Sequence, residues 1–152
     1  MYAGVSGAGR AAKESSLYCE IAEGINSYAV GQHRHMPEIE QGLSEASGTD
    51  VKISFTPHLI NMSRGMQTTS YVKMAPGKTA DDLREFLAKT YASEPFVRVL
   101  PKGVIPHTRH VRGTNFCLMN VFPVSLRSSR RRLYGARWTL AASWMAVQST
   151  CG

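Results

Sequence analysis

Long apolar runs are missing from this chain. None of its segments reaches the roughly 18 consecutive apolar residues that a membrane-spanning helix needs, so a helical span is not expected. No basic stretch followed by an apolar core opens it, so no secretory leader is expected either. Cysteine is scarce: Cys19, Cys117 and Cys151 are too few and too scattered for a disulfide framework, which points to a reducing compartment. There is no CxxC, no HExxH, and no strand running into a GxGxxG turn. Gly4, Gly7 and Gly9 have the wrong spacing for that fingerprint, and too few residues precede them to supply its strand. Acids and lysine are absent from residues 124–152, which hold five arginines, at 127, 130, 131, 132 and 137. Taking those five from the net charge of +7 leaves +2 for residues 1–123, an ordinary balance. The basic excess is therefore local and argues against a nucleic-acid-binding domain. Both tryptophans, Trp138 and Trp144, lie in the same segment, so the composition changes at Pro123.

What is present reads as one domain with alternating and helical patterns mixed. Residues 10–23 place Leu17 and Ile21 on one side and Lys13, Glu14, Glu20 and Glu23 on the other, predicting a helix that Gly24 stops. Residues 25–30 read as a short strand, 37–46 as a helix closed by Ser47-Gly48, and 51–56 as a half-buried strand. A second strand is expected over 66–75. Thr79 and Asp82 form a capping-box-like start to a helix over 79–91, with Leu83, Phe86, Leu87 and Tyr91 as its core face. Further strands are expected over 96–100 and 115–121. Strands and helices without a repeating βα unit indicate an α+β fold, a mixed, mostly antiparallel sheet with helices on one face.

The most informative segment is Gly31-Gln32-His33-Arg34-His35-Met36-Pro37-Glu38, in which two imidazoles, a guanidinium and a carboxylate stand within six residues. Pro37 suits the first turn of a helix, and a carboxylate there is favoured by the helix dipole. Glu38 is placed to orient an imidazole three residues upstream. Histidine is the side chain whose ordinary pKa lies nearest neutrality, so the set suits proton transfer. His35 is the preferred acid/base because it stands nearer the helix start. His33 is the alternative, since residues two apart on an extended segment face opposite ways.

The same segment carries a resemblance that extends through Gly4-Val5-Ser6-Gly7-Ala8-Gly9-Arg10, Phe55-Thr56-Pro57-His58-Leu59, Arg64-Gly65-Met66, His110-Val111-Arg112-Gly113-Thr114-Asn115 and Asn120-Val121-Phe122-Pro123. In order and spacing these resemble N-acetyl-γ-glutamyl-phosphate reductase, the NADP-dependent enzyme of arginine biosynthesis, over about four-fifths of the chain. The resemblance implies the C-terminal domain of the glyceraldehyde-phosphate-dehydrogenase-like semialdehyde dehydrogenases. It also implies reduction of an acyl phosphate to a semialdehyde, a small-molecule substrate, a homo-oligomer, and a cytoplasmic or plastid location. In that family the nucleophilic cysteine and most of the NADP site belong to a preceding dinucleotide-binding domain. Residues 1–123 are thus expected to be part of the catalytic and dimerisation domain, with little activity alone. Residues 124–152 are expected to be a divergent, poorly ordered basic tail, read as an out-of-frame or alternative-exon ending. The alternatives are a non-catalytic partner of the full-length enzyme, and a tail that binds RNA or acidic lipid.

Beyond the histidines, Arg64 between a loop and a strand, and Arg109 and Arg112 around His110, are candidate clamps for a carboxylate or phosphate. Solvated loop arginines are the plain alternative. The resemblance places Ser6 and Gly7 near the cofactor. Cys19 and Cys117 read as small packed residues rather than nucleophiles, and Glu20 beside Cys19 would disfavour its thiolate. His33, His35, Glu38, His58, His107 and His110 could supply zinc ligands. Arg109 between His107 and His110 opposes a cation, and no metal is expected.

Overall fold

A computed structural model describes residues 1–9, 11, 13–73, 75–123 and 137–144, in two compact units, 1–63 and 64–152. In the first unit a short β1 (Tyr2–Ala3) runs parallel to β3 (His58–Ile60), and β2 (Ile25–Ser27) pairs antiparallel on the other side of β3. A small helix α1 (Tyr18–Ile21) precedes β2, and α2 (His35–Ser47) fills the long connection between β2 and β3. Gly48, left-handed at φ 68°, ends α2 and donates its N–H to the Ser44 carbonyl at 2.9 Å.

The second unit contains β4 (Met66–Lys73), α3 (Ala80–Thr90), β5 (Val97–Val99), α4 (Thr108–Val111), β6 (Cys117–Pro123) and β7 (Arg137–Trp144). Its strand order is β4-β7-β6-β5. β7 is antiparallel to both neighbours, while β5 and β6 run parallel. Helix α3 packs on β5 and β6, and α4 on β7. This is the α+β class that the pattern predicted, with a mixed, mostly antiparallel sheet. The core is small among the described residues. Val111, Asn120, Pro57 and Pro106 are fully buried, and Val121 is nearly so.

Helix α3 forms as its local signals require. The Thr79 hydroxyl accepts from the Asp82 N–H at 3.2 Å, and the Asp82 carboxylate accepts from the Thr79 N–H at 2.7 Å. Hydrogen bonds from the Thr79 side chain and backbone hold the Asp82 carboxyl below its usual range. Phe86 is a correction, because its side chain is 64% exposed rather than part of the packed face.

Three other expectations change. The helix over 10–23 is broken: a 3₁₀ turn at Glu14–Ser16 and the four residues of α1 are separated by an extended Leu17, while residues 10 and 12 lie outside the described set. Short helices depend on burying an apolar face, and here Leu17 is 46% and Tyr18 80% exposed. Residues 51–56 form no strand, although Val51, Ile53 and Phe55 are half-buried and Lys52 and Ser54 exposed, as the alternation required. The reason lies in α2. The N–H of Val51 goes to the Ser44 hydroxyl at 2.9 Å and that of Ile53 to the Glu40 carboxylate at 3.1 Å, so α2 takes the donors a partner strand would use. Helix α2 itself begins at His35, two residues ahead of Pro37.

The remaining strands keep their places with shifted ends: 25–27 against 25–30, 66–73 against 66–75, 97–99 against 96–100, and 117–123 against 115–121. β1, β3 and α4 were not expected. Within the stretch read as a divergent tail, residues 137–144 form β7, and the rest lies outside the described residues.

Candidate functional site

The histidine segment enters through a tight turn. Ala29 at φ 45° and Gly31 at φ 71° are both left-handed, and the Gln32 N–H closes the turn on the Ala29 carbonyl at 3.1 Å. Alanine in that region costs about 1 kcal/mol, so the turn is held by its surroundings. The chain then reaches His33, whose ring sits against Tyr28 (5.6 Å between centroids), Phe55 (5.2 Å) and His35 (4.9 Å).

The two imidazoles are not equivalent. Nδ1 of His33 accepts the backbone N–H of His35 at 3.2 Å. That N–H belongs to the first turn of α2, where backbone donors have no carbonyl partner, so His33 serves as the cap that Arg34 does not provide. A ring whose Nδ1 accepts must carry its neutral-state proton on Nε2. Burial beside the aromatic rings, then His35 and Arg34, push the His33 pKa below its ordinary value. His35 is exposed, and its ring has no hydrogen bond among the described residues. Burial also raises the Tyr28 phenol.

Glu38 lies exposed in the first turn of α2 with no hydrogen bond or ion pair among the described residues. The orienting contact to His35 expected of it is not formed. Glu40, two residues on, instead bonds the Ile53 N–H. Tyr28 and Phe55 were missed from the sequence. Phe55 was visible only as the last apolar position of an alternating segment, and nothing local assigned it to a histidine.

In the second unit, His107 caps α4 by the same device, its Nδ1 accepting the Arg109 N–H at 3.1 Å. Arg109 Nε donates to His110 Nε2 at 3.3 Å, and the His107 and His110 rings are 5.5 Å apart. Arg112 follows, exposed, one residue past the buried Val111. One helical turn thus presents two guanidiniums and two imidazoles to solvent, an arrangement suited to an anion. Arg64 is exposed just before β4.

Ser6 is half-buried and Gly7 exposed. Their N–H groups are taken by the Ser63 carbonyl at 3.1 Å and the Gly4 carbonyl at 3.4 Å. With both N–H groups engaged, the pair does not form a phosphate cradle of free backbone donors. Cys19 is exposed, which corrects its reading as a packed residue, whereas burial raises the Cys117 thiol and keeps it protonated. His58, in β3, stacks on Tyr2 at 5.1 Å. Among the described residues, no three His, Cys, Asp or Glu side chains come together as a metal site. No helix among them is long and apolar enough to cross a membrane.

Comparison with known proteins gives a consistent result. The family model described as "Semialdehyde dehydrogenase, dimerisation domain" matches residues 1–134. A probable chloroplastic N-acetyl-γ-glutamyl-phosphate reductase of Oryza sativa subsp. japonica is 63% identical over 78% of this chain and 29% of its own length. The reductase of Rhodospirillum rubrum is 59% identical over 78% of the chain and 34% of its own length. That of Pelobacter propionicus is 54% identical over 98% of the chain and 44% of its own length, a match that extends past Pro123. The chain thus spans less than half the length of these relatives. Aspartate semialdehyde dehydrogenase II from Vibrio cholerae shares the fold at a TM-score of 0.63 and 12% identity, over 95% of this chain and 47% of its own.

Proposed function

Because the chain belongs to the semialdehyde dehydrogenase dimerisation-domain family, we propose that it is the proton-transferring and substrate-holding part of an N-acetyl-γ-glutamyl-phosphate reductase. The reaction reduces N-acetyl-γ-glutamyl phosphate to N-acetylglutamate 5-semialdehyde, within arginine biosynthesis. NADPH, bound mainly outside these residues, supplies the hydride. A thiolate nucleophile for the acyl carbon also comes from outside them, as the family resemblance implies, and burial disfavours the Cys117 thiolate. The assembled enzyme contains a second copy of this domain, and plant forms work in the chloroplast.

The observation that supports this reading best is the inequality of the two imidazoles at the start of α2. His33 is engaged through Nδ1 by the His35 N–H at 3.2 Å, which fixes the entry to the helix. His35 keeps both ring nitrogens available, so it is the group that gives and takes the proton as the acyl carbonyl is attacked and the aldehyde released. His33 then presents Nε2–H as a donor rather than a base. Glu38 stands exposed in the first turn of α2, where the helix dipole favours a carboxylate, and does not touch His35. Arg109 and Arg112, with Arg64 as a further clamp, hold the phosphate and carboxylate of the substrate. Ser6 and Gly7 meet the edge of the cofactor.

The test is the reverse reaction. The chain should be joined to the remaining N-terminal part of the rice relative and given the semialdehyde, NADP and inorganic phosphate. Phosphate-dependent formation of NADPH, read by absorbance, is the expected result. A folded, dinucleotide-binding fusion with no such signal would overturn the reading.

A further inference from the structure

Asn120, in β6, is the only polar side chain in the buried class among the described residues, with 0% exposure. Its Nδ2 donates to two carbonyls, of Pro101 and Val104, each at 2.8 Å, and its Oδ1 accepts the Val121 N–H at 2.9 Å. Both carbonyls belong to one loop, 101–106, that links β5 to α4. A turn bond from the Val104 N–H to the Pro101 carbonyl at 3.1 Å closes that loop on itself. The Leu100 N–H, bonded to the Met119 carbonyl at 2.9 Å, ties its start to β6. The loop ends at the fully buried Pro106, and the next residue is His107, the cap of α4. Its tip is open, with Val104 43% and Ile105 66% exposed. The loop is thus attached to the sheet from beneath, at the residues that aim the chain into the cationic turn. An apolar side chain would fill a buried strand position without needing partners, whereas the amide serves the Val104 carbonyl and adds a second bond to the Pro101 carbonyl, which the Val104 N–H already reaches.

We propose that Asn120 is a positioning residue for the anion-holding turn 107–112. It latches the loop 101–106 and so fixes the direction in which Arg109 and Arg112 are presented. The proposal rests on the reading of that turn as the holder of the substrate's anionic groups. Asn120 itself touches no substrate.

The test uses the whole chain and sulfate, whose charge does not change near neutral pH, as the probe. Binding is followed through the imidazole resonances of His107 and His110. Wild-type chain should show saturable shifts. Asn120→Leu removes both donors and Asn120→Asp replaces them with acceptors. If the correctly aimed turn falls to about a tenth of the molecules, sulfate affinity falls about tenfold, because apparent affinity scales with the competent fraction. The two variants should then separate with pH. Burial raises the pKa of an aspartate at 120, and on protonation it regains one donor. The ratio of wild-type to Asn120→Asp affinity should therefore narrow as pH falls, while that for Asn120→Leu stays level. A residue that merely supports the fold would give no such separation.

A measurement on the wild-type chain covers the case in which a variant does not fold. Sulfate should slow solvent exchange of the Asn120 side-chain amide protons, because binding and latching favour the same state. Sulfate bound with equal affinity by wild type and folded variants would overturn the proposal while leaving the anion-holding turn intact. So would unchanged amide exchange on binding. No sulfate binding by wild type would overturn the reading of the turn, and the latch with it.

Discussion

The two units use one device in two settings. At His33 and at His107 an imidazole Nδ1 accepts the N–H two residues on and opens a helix, and in both an arginine and a second histidine follow closely. The surroundings separate them. His33 is half-buried against Tyr28 and Phe55, and the next histidine, His35, is left free. His107 is exposed, and the histidine after it is tied to Arg109. In the function proposed, the same local chemistry serves proton transfer where rings crowd one imidazole and spare the other, and anion holding where guanidiniums outnumber acids. Sequence spacing sets the cap, and long-range packing sets the role.

The sharpest way to break this contrast is at His35. In a complete reductase carrying this domain, His35→Asn should lower kcat by roughly 10²–10⁴, the usual contribution of general acid–base catalysis. His33→Asn should cost far less, because asparagine can still accept the N–H at the helix start. Equal losses at both positions, measured under saturating substrate, would erase the distinction between the rings.

Next in size is the anion-holding side. Arg109→Ala should raise KM for the acyl phosphate by roughly 10- to 100-fold, the equivalent of one charge-assisted hydrogen bond, with a smaller change in kcat. A drop in kcat alone would move Arg109 from holding to chemistry and blur the two units.

The cap itself sharpens the comparison through stability. His33→Ala should destabilise the first unit by about 1 kcal/mol, the typical loss of a helix cap, while His33→Asn should recover most of it. His107→Ala should cost less, since α4 has only four residues to lose. Chemical denaturation of each variant gives the order directly, and a larger loss at His107 would contradict it.

The smallest effect is the pH dependence of that cap. The folded state holds the His33 pKa below the ordinary 6.5, so the unfolded chain takes up the proton first as pH falls. The cap's contribution is then complete above about pH 6.5 and is lost as pH drops through the lowered folded value. Wild type should lose stability on that limb relative to His33→Asn, in which nothing titrates at position 33. Parallel stability–pH curves for the two would show that His33 does not titrate with the fold.

Legibility followed the range of the interaction. The start of α3 was readable because Thr79 and Asp82 satisfy each other across three residues, and no other part of the chain is needed. The helix start beside the HxH segment was readable for the same reason, since Pro37 and Glu38 are local signals, although the helix opens two residues earlier, at His35. The alternation at 51–56 correctly gave which side chains are half-buried. It could not show that Ser44 and Glu40 of α2 intercept the backbone donors, because a period of two records a buried face and not its partner. The sequence preferred His35 over His33 from its place at the helix start alone; the contact that crowds the His33 ring was unreadable, because Phe55 arrives from beyond α2. Nor could Asn120 be singled out, since its acceptors are carbonyls, which every residue carries.

The place of β7 has a consequence for how the chain is made. The strand formed latest in synthesis among those described lies between β4 and β6, so the centre of this sheet leaves the ribosome after both of its neighbours. Until it arrives, two strands born earlier wait with open hydrogen-bonding edges facing a gap. Such edges are templates for unwanted pairing, and contacts so distant in sequence close slowly. Nascent chains stalled before residue 137 should therefore be the species that chaperones hold, and their release should coincide with emergence of the central strand.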